Sequence, residues 1–242
     1  MWYDPVMTML CLIRHGENEY TRTGRLAGWT DGVCLNEAGR AQAQQLALRL
    51  AHAPLAAVYT SPLARCRETA EIVIGRNHPH LTPVPVPEVG EVRIGEWEGA
   101  LLDDLRRLPA WKTVQQTPSR FTFPGGESFE AVQQRAVAAV EAIAARYPQE
   151  LVAIVSHADV IKLLVARFIG LPLDCFQQIA IATASVTMVT ISADSPPLLV
   201  CLNDTGTPPW SSPPPSGDPP SGGPPPGARE CPITLNSTLS PT

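Results

Sequence analysis

The chain has 242 residues, a formal net charge of −5 and 44% hydrophobic residues. That length can bury one sizeable core, and the acidic balance argues against a general nucleic-acid binder. No apolar run is long enough to span a bilayer, and MWYDPVMTM lacks the basic-then-apolar order of a secretory leader, so neither membrane nor export is expected.

In chain order, TMLCLIR (8–14) reads as a buried strand that ends in Arg14-His15-Gly16-Glu17. Asn36 can cap a helix to about residue 52. LAAVYT (55–60) is a second strand. Ser61-Pro62 follows as a cap with proline at the first helical position, opening a helix to about 74. Phe129, Val132, Ala136, Val140 and Ile143 recur at helical spacing. LVAIVS (151–156) is a third strand, after which Asp159 can cap a helix that stops at Gly170-Leu171-Pro172. Strands 186–191 and 198–202 could pair through the Asp194-Ser195-Pro196 turn. The first three strands are continuous apolar runs, as parallel strands covered on both faces require. The order implies a three-layer α/β/α sandwich with a mostly parallel central sheet over 7–204. Residues 205–242 hold 12 of the 26 prolines and are expected to form a disordered, solvated tail rather than a proline-rich docking peptide for a partner. The six cysteines contain no CxxC pair and read as thiols of a cytoplasmic protein. His52, His78 and His80 carry no context and are expected at the surface.

One regularity bears on function. Arg14-His15 follows the first strand, Ser61…Arg65 the second, and Ser156-His157 the third. Ligands of open parallel sheets bind beyond the carboxyl ends of strands, so three distant segments deliver polar groups to one rim. Arginine's fork matches phosphoryl oxygens and keeps its proton. Arg65 also lies in a first helical turn, where free N–H groups favour anions. A neutral imidazole can attack phosphorus, which suits His15 as nucleophile. Gly16 would let backbone and substrate approach closely. His157 could donate to the equatorial oxygens, and the leaving alkoxide needs an acid opposite the nucleophile.

RHGEN (14–18), GWTDGVCLNEAGRAQA (28–43), SPLARCRETA (61–70), EVRIGEWEG (91–99), PGGES (124–128) and VSHADVIK (155–162) together resemble the histidine phosphatase superfamily, in its phosphoglycerate-mutase-like branch. The resemblance implies that His15 is phosphorylated during turnover, that Arg14, Arg65 and His157 hold the phosphoryl group, and that Glu91 is the proton donor. Asn18, Thr21, Arg25 and Ala158 are the substrate contacts it suggests. Thr21 stands where many members have asparagine, Ala158 where SHG is common, and Arg93 where an acidic residue is common. No metal or cofactor is implied, and two arginines beside His15, His157 and Glu91 would repel a cation. Glu88, Glu96 and Glu98 are expected to raise the Glu91 pKa if they lie near it. Trp97 and Trp111 read as packing rather than a stacking platform. The 123–128 loop reads equally as a helix cap or a substrate-facing loop.

The family contains phosphatases and mutases. The 66 residues from Glu91 to His157 leave no room for a long basic insertion. The expectation is therefore a phosphatase acting on a small phosphomonoester. The alternatives are a phosphoglycerate-mutase-type enzyme and a phosphoester-binding module without catalysis. An edge strand near 198–202 could pair two copies as a homodimer.

Overall fold

The computed structural model describes residues 7–75 and 77–206. Its strands are β1 (Thr8–Arg14), β2 (Leu55–Thr60), β3 (Val84–Pro85), β4 (Leu151–Ser156), β5 (Val186–Ile191) and β6 (Leu198–Asp204). They form one sheet in the order β3-β2-β4-β1-β5-β6. β1 to β4 run parallel, while β5 lies antiparallel to β1 and β6 antiparallel to β5. The bounds of β1, β2, β4 and β5 are those read from the apolar runs. β6 continues past residue 202 to Asp204, and the two-residue β3 was not anticipated.

The helices are α1 (Glu19–Arg22), α2 (Glu37–Arg49), α3 (Ala64–Ile74), α4 (Leu102–Leu105), α5 (Pro109–Gln116), α6 (Phe129–Ala144) and α7 (Ala158–Phe168). Alternate residues of β1 serve opposite faces, as the period of a strand dictates. Leu10 and Leu12 pack with Val132, Val140 and Leu164 of α6 and α7. Cys11 and Ile13 pack with Leu46 of α2 and Val73 of α3. The expected three layers therefore form, with the covered parallel strands β2, β4 and β1 at their centre.

Two helix starts follow local chemistry. The Asn36 side chain accepts from Gly39 N ahead of α2, and Ser128 Oγ accepts from Ala131 N ahead of α6. Two others correct the sequence reading. α3 starts at Ala64, two residues beyond Pro62, because the Ser61 hydroxyl is engaged with His157 Nε2 at 2.8 Å. α7 starts behind His157 rather than Asp159, whose carboxylate accepts from Lys162 Nζ instead. The unforeseen α1 arises from a reciprocal cap: Thr21 N donates to Asn18 Oδ1, and Asn18 N donates to Thr21 Oγ1.

Gly16 and Gly39 explain each other. A Cβ on Gly16 would stand 2.5 Å from Gly39 O, and one on Gly39 would stand 1.9 Å from Glu17 O. The loop after β1 thus rests directly on the first turn of α2, backbone to backbone. Gly16 makes room for this helix rather than for substrate, which corrects the sequence reading. Gly39→Ala is expected to cost about 2 kcal/mol or more, because neither backbone can yield cheaply. A urea denaturation midpoint unchanged from wild type would contradict that contact.

His78 corrects another expectation: it is buried, and its Nε2 stands 2.9 Å from Leu50 O. Cys11, Cys34, Cys66 and Cys201 are free thiols, as expected. Cys175 is disulfide-bonded, so the all-thiol reading fails there. Among the described residues no helix is long and apolar enough to cross a membrane. The tail reading falls on 205–242, of which 207–242 lie outside the described residues.

Candidate active site

The sheet order β2-β4-β1 makes three strand ends neighbours. Arg14, the last residue of β1, is in register with Ser156, the last of β4. Beyond them His15 N donates to Ser156 O, and Ser61 N donates to Val155 O. The rim therefore sets His15, His157 and Ser61 side by side. The His15 and His157 rings lie 5.2 Å apart, edge to face.

His15 is only 3% exposed. Its Nδ1 lies 2.7 Å from Gly16 O, so Nδ1 carries the proton and donates, leaving the Nε2 lone pair available. Burial, reinforced by the Arg65 and Arg14 charges, holds its pKa well below the usual histidine range. The ring is thus neutral and oriented, which are the two requirements for attack on phosphorus.

Two guanidinium groups flank it. Arg65, 1% exposed, donates from Nη2 to Gly28 O at 2.9 Å. Arg14 donates from Nη1 to Ile181 O at 2.7 Å. These bonds fix both planes but leave Arg14 Nε and Arg65 Nη1 buried with no protein acceptor, as is Asn18 Nδ2. A buried unsatisfied donor costs about 1–3 kcal/mol, more when charged. All three residues line one cavity of about 280 Å³, together with His15 and Glu91. Donors of this kind suit an anion with several acceptor oxygens.

Glu91 faces the same cavity. Its Oε2 lies 3.4 Å from His157 Nδ1 and 4.0 Å from Arg65 Nη2. Burial is the chief cause that pushes its pKa up to about 7, with Arg65 opposing and Asp159 adding. The carboxylate that contributes is thus Asp159, not Glu88, Glu96 or Glu98. Glu98 is engaged elsewhere, accepting from Trp29 N.

His157 is fully buried and stands behind the cavity wall rather than on it. Its Nε2 meets the Ser61 hydroxyl, and its Nδ1 meets Arg65 Nη2 at 3.3 Å. A hydroxyl can donate or accept, so what faces Nδ1 sets the tautomer. Arg65 favours a lone pair there; a carboxylate or phosphoryl oxygen favours an N–H. Burial and the neighbouring cations hold this ring neutral as well.

The other expected contacts, Asn18, Thr21, Arg25 and Ala158, all line the cavity. Thr21 Oγ1 spends its proton on Asn18 O at 2.8 Å, so it offers a ligand only a lone pair. Arg25 donates from Nη1 to Gly99 O at 2.8 Å. Ala158 opens α7, whose first turn points its free N–H groups toward the rim. The 123–128 loop does both of the things expected of it: Phe123 lines the cavity while Ser128 caps α6. Trp97 is core, as expected, but Trp111 lines the cavity. Among the described residues no cluster of three or more His, Cys, Asp or Glu side chains could hold a metal ion.

Arg135 was missed, because a lone basic residue on a helix gives no sequence signal. Its guanidinium, from α6, bonds Glu88 O, Gly90 O and Glu91 O and pairs with Glu127. Trp29 Nε1 also donates to Glu91 O, and Arg93 stacks over the Trp29 ring at 3.8 Å. Arg135 is therefore a positioning residue for the Glu91 backbone. Arg135→Gln is expected to lower kcat by about 10²-fold, the scale of a small misplacement. It should also move the alkaline limb of the rate profile to lower pH as Glu91 meets water. An unmoved limb would make Arg135 merely structural.

Residues 10–205 match the model of the histidine phosphatase superfamily, branch 1. Over 186 residues the chain is 30% identical to phosphoserine phosphatase 1 of Hydrogenobacter thermophilus, covering 76% of this chain and 86% of that protein. Over 170 residues it is 34% identical to the adenosylcobalamin/alpha-ribazole phosphatase of Salmonella typhimurium, covering 67% and 80%. Among solved structures, Bacillus stearothermophilus YhfR superposes with a TM-score of 0.75 at 36% identity, covering 81% of this chain and 97% of that one.

Proposed function

The chain belongs to the histidine phosphatase superfamily, and from that premise we propose that it hydrolyses small phosphomonoesters through a phosphohistidine on His15. The observation that carries the roles is the trio of buried donors without protein acceptors, Arg14 Nε, Arg65 Nη1 and Asn18 Nδ2, around a neutral His15.

The steps follow from the geometry. His15 Nε2 attacks phosphorus as the ester P–O bond breaks. Glu91, whose pKa lies near neutrality, gives its proton to the departing oxygen, and a neutral alcohol leaves. The Arg14 and Arg65 donors take up the charge that spreads over the equatorial oxygens. His157 backs this cradle as a neutral ring: in its Nδ1–H tautomer Nε2 accepts a hydrogen bond from the Ser61 hydroxyl and Nδ1–H is free to donate to an oxygen. Water then attacks phosphorus, Glu91 accepts its proton, and phosphate and neutral His15 are released. No step calls on a metal ion.

Hydrolysis is favoured over mutase chemistry. Apart from Arg14 and Arg65, the cation on the cavity lining is Arg25, which is tied to Gly99 O. A mutase must hold a second anionic end, and this lining is poor in groups to do so. A cytoplasmic site of action fits the free thiols Cys11, Cys34, Cys66 and Cys201 among the described residues, with the Cys175 disulfide weighing against it, and pairing of two copies fits the edge strand β6, where Leu198, Val200 and Leu202 are exposed.

The test is phosphate release with EDTA present from p-nitrophenyl phosphate, sugar phosphates, nucleotides and 3-phosphoglycerate. Release is expected, with an acid-labile phosphoryl group trapped on His15 and no isomerisation of 3-phosphoglycerate. Release that stops with the chelator, or isomerisation faster than hydrolysis, would overturn the reading.

A further inference from the structure

Resting on that phosphomonoesterase reading of the same cavity, we infer that the leaving group is an uncharged alcohol with an apolar, ring-shaped body rather than a carboxylate-bearing one. Beyond the phosphoryl cradle the wall is built by Leu26, Ile94, Leu102, Trp111, Val114 and Phe123. Ile94, Val114 and Phe123 are buried, so this wall is a continuation of the core and not a solvated surface. Trp111 is held by a stacked neighbour: the Trp97 ring lies 6.2 Å away at 27°, itself packed edge to face on Phe123 at 5.3 Å. A braced indole on the lining offers its ring to a ligand at little entropic cost, which suits an apolar ring-shaped body.

Charge points the same way. The polar groups of this outer part are Asp159, Gln177 and the rim residue Arg25. Lys162, the cation nearest to Asp159, is already held by Asp159 Oδ1 at 2.9 Å and Gln177 Oε1 at 3.2 Å. Asp159 raises the Glu91 pKa, so its field reaches the place where the ester oxygen departs. A carboxylate on the alcohol would face Asp159 across an apolar wall, with Arg25 committed to Gly99 O. With Asp159 opposing, an apolar wall between and one guanidinium partly engaged by a backbone carbonyl, an ionised group is disfavoured there through its desolvation. Asp159 and Gln177 can instead accept from a hydroxyl or ring N–H on the body.

The experiment compares unactivated alkyl esters, so that leaving-group acidity does not confound shape. Turnover of benzyl phosphate, O-phosphoserine and 3-phosphoglycerate is measured alongside calorimetric binding of benzylphosphonate and of phosphonoacetate, neither of which is hydrolysed. Benzyl phosphate is expected to exceed both carboxylate esters by about 10²-fold in kcat/KM, and benzylphosphonate to bind at least tenfold more tightly than phosphonoacetate. Trp111→Ala should reduce the benzyl-to-seryl ratio tenfold or more, and Trp111→Phe should restore most of it. Leu102→Lys should shift the ratio toward 3-phosphoglycerate. Tighter binding of benzylphosphonate without any turnover would uphold this inference and sink the phosphatase reading. Equal or weaker binding of benzylphosphonate would overturn the inference whatever the turnover, as would a Trp111→Ala variant that lowers all three esters alike.

Discussion

His15→Ala is expected to lower kcat for phosphate release by about 10⁴-fold or more, the scale on which an enzyme loses its nucleophile. The reason is that no other group is both unprotonated and aimed. Cys66 is the nearest rival, with its Sγ 3.4 Å from His157 Nε2, but burial pushes its thiol up to about 12 and leaves no thiolate to attack. The variant should still bind inorganic phosphate, because Arg14, Arg65 and Asn18 keep their donors. Calorimetry on His15→Ala and rapid-quench trapping on wild type separate the two functions. Activity within tenfold of wild type would move the nucleophile elsewhere. The same residue also sets acid sensitivity. The folded-state pKa values of His15 and His157 lie well below 6.5, so each favours the fold above pH 6.5. That contribution is lost as pH falls through their depressed values, because the unfolded chain binds the protons first.

Glu91→Gln is expected to separate the two half-reactions. With alkyl phosphates the departing oxygen needs a proton, so kcat should fall by about 10²–10⁴-fold. p-Nitrophenolate leaves without one, so the variant should release a burst of one equivalent per site and then stall, lacking a base for the water. Steady turnover with no burst would remove Glu91 from the second step. In wild type the acid form is required first, so kcat/KM for alkyl esters should fall above a pH of about 7, approaching tenfold per pH unit. Stability follows the same group. Its pKa is raised from 4.5 to about 7, so its contribution to the fold is complete below 4.5 and is lost as pH rises to 7. Glu91→Gln should therefore melt higher than wild type at pH 8, with the gap closing at pH 5. Only part of this is expected to appear, since a fifth of the side chain is exposed and Arg65 compensates some charge.

The strands were legible because burial on both faces writes a continuous apolar run, and β1, β2, β4 and β5 have no other way to satisfy such residues. The rim residues His15, Arg65 and His157 were legible because they follow those runs directly. What failed did so where tertiary partners outbid local rules. Ser61 and Asp159 look like helix caps, yet His157 and Lys162 claim their oxygens. α4 and α5 had no readable bounds because LLDDLRRLPAWKTVQQ is short and cut by Pro109, and the packing of Trp111 on Trp97 fixes it. Trp111 was therefore assigned to packing alone, although it does both things. Arg135 acts through backbone carbonyls some 45 residues away, a relation that no spacing rule encodes.

The position of β4 sets when the enzyme can first work. β1 and β2 do not pair with each other; β4, made roughly 90 residues after β2, is the strip that joins them. A nascent chain emerging N-terminus first thus displays His15 and both guanidinium groups long before anything holds them together. It stays silent until residue 157 has cleared the ribosome and the central strand has slid into its slot. Turnover then reports that the central strand has docked. A cut in the loop between α6 and β4 would leave two inert halves whose reunion could be read as released phosphate.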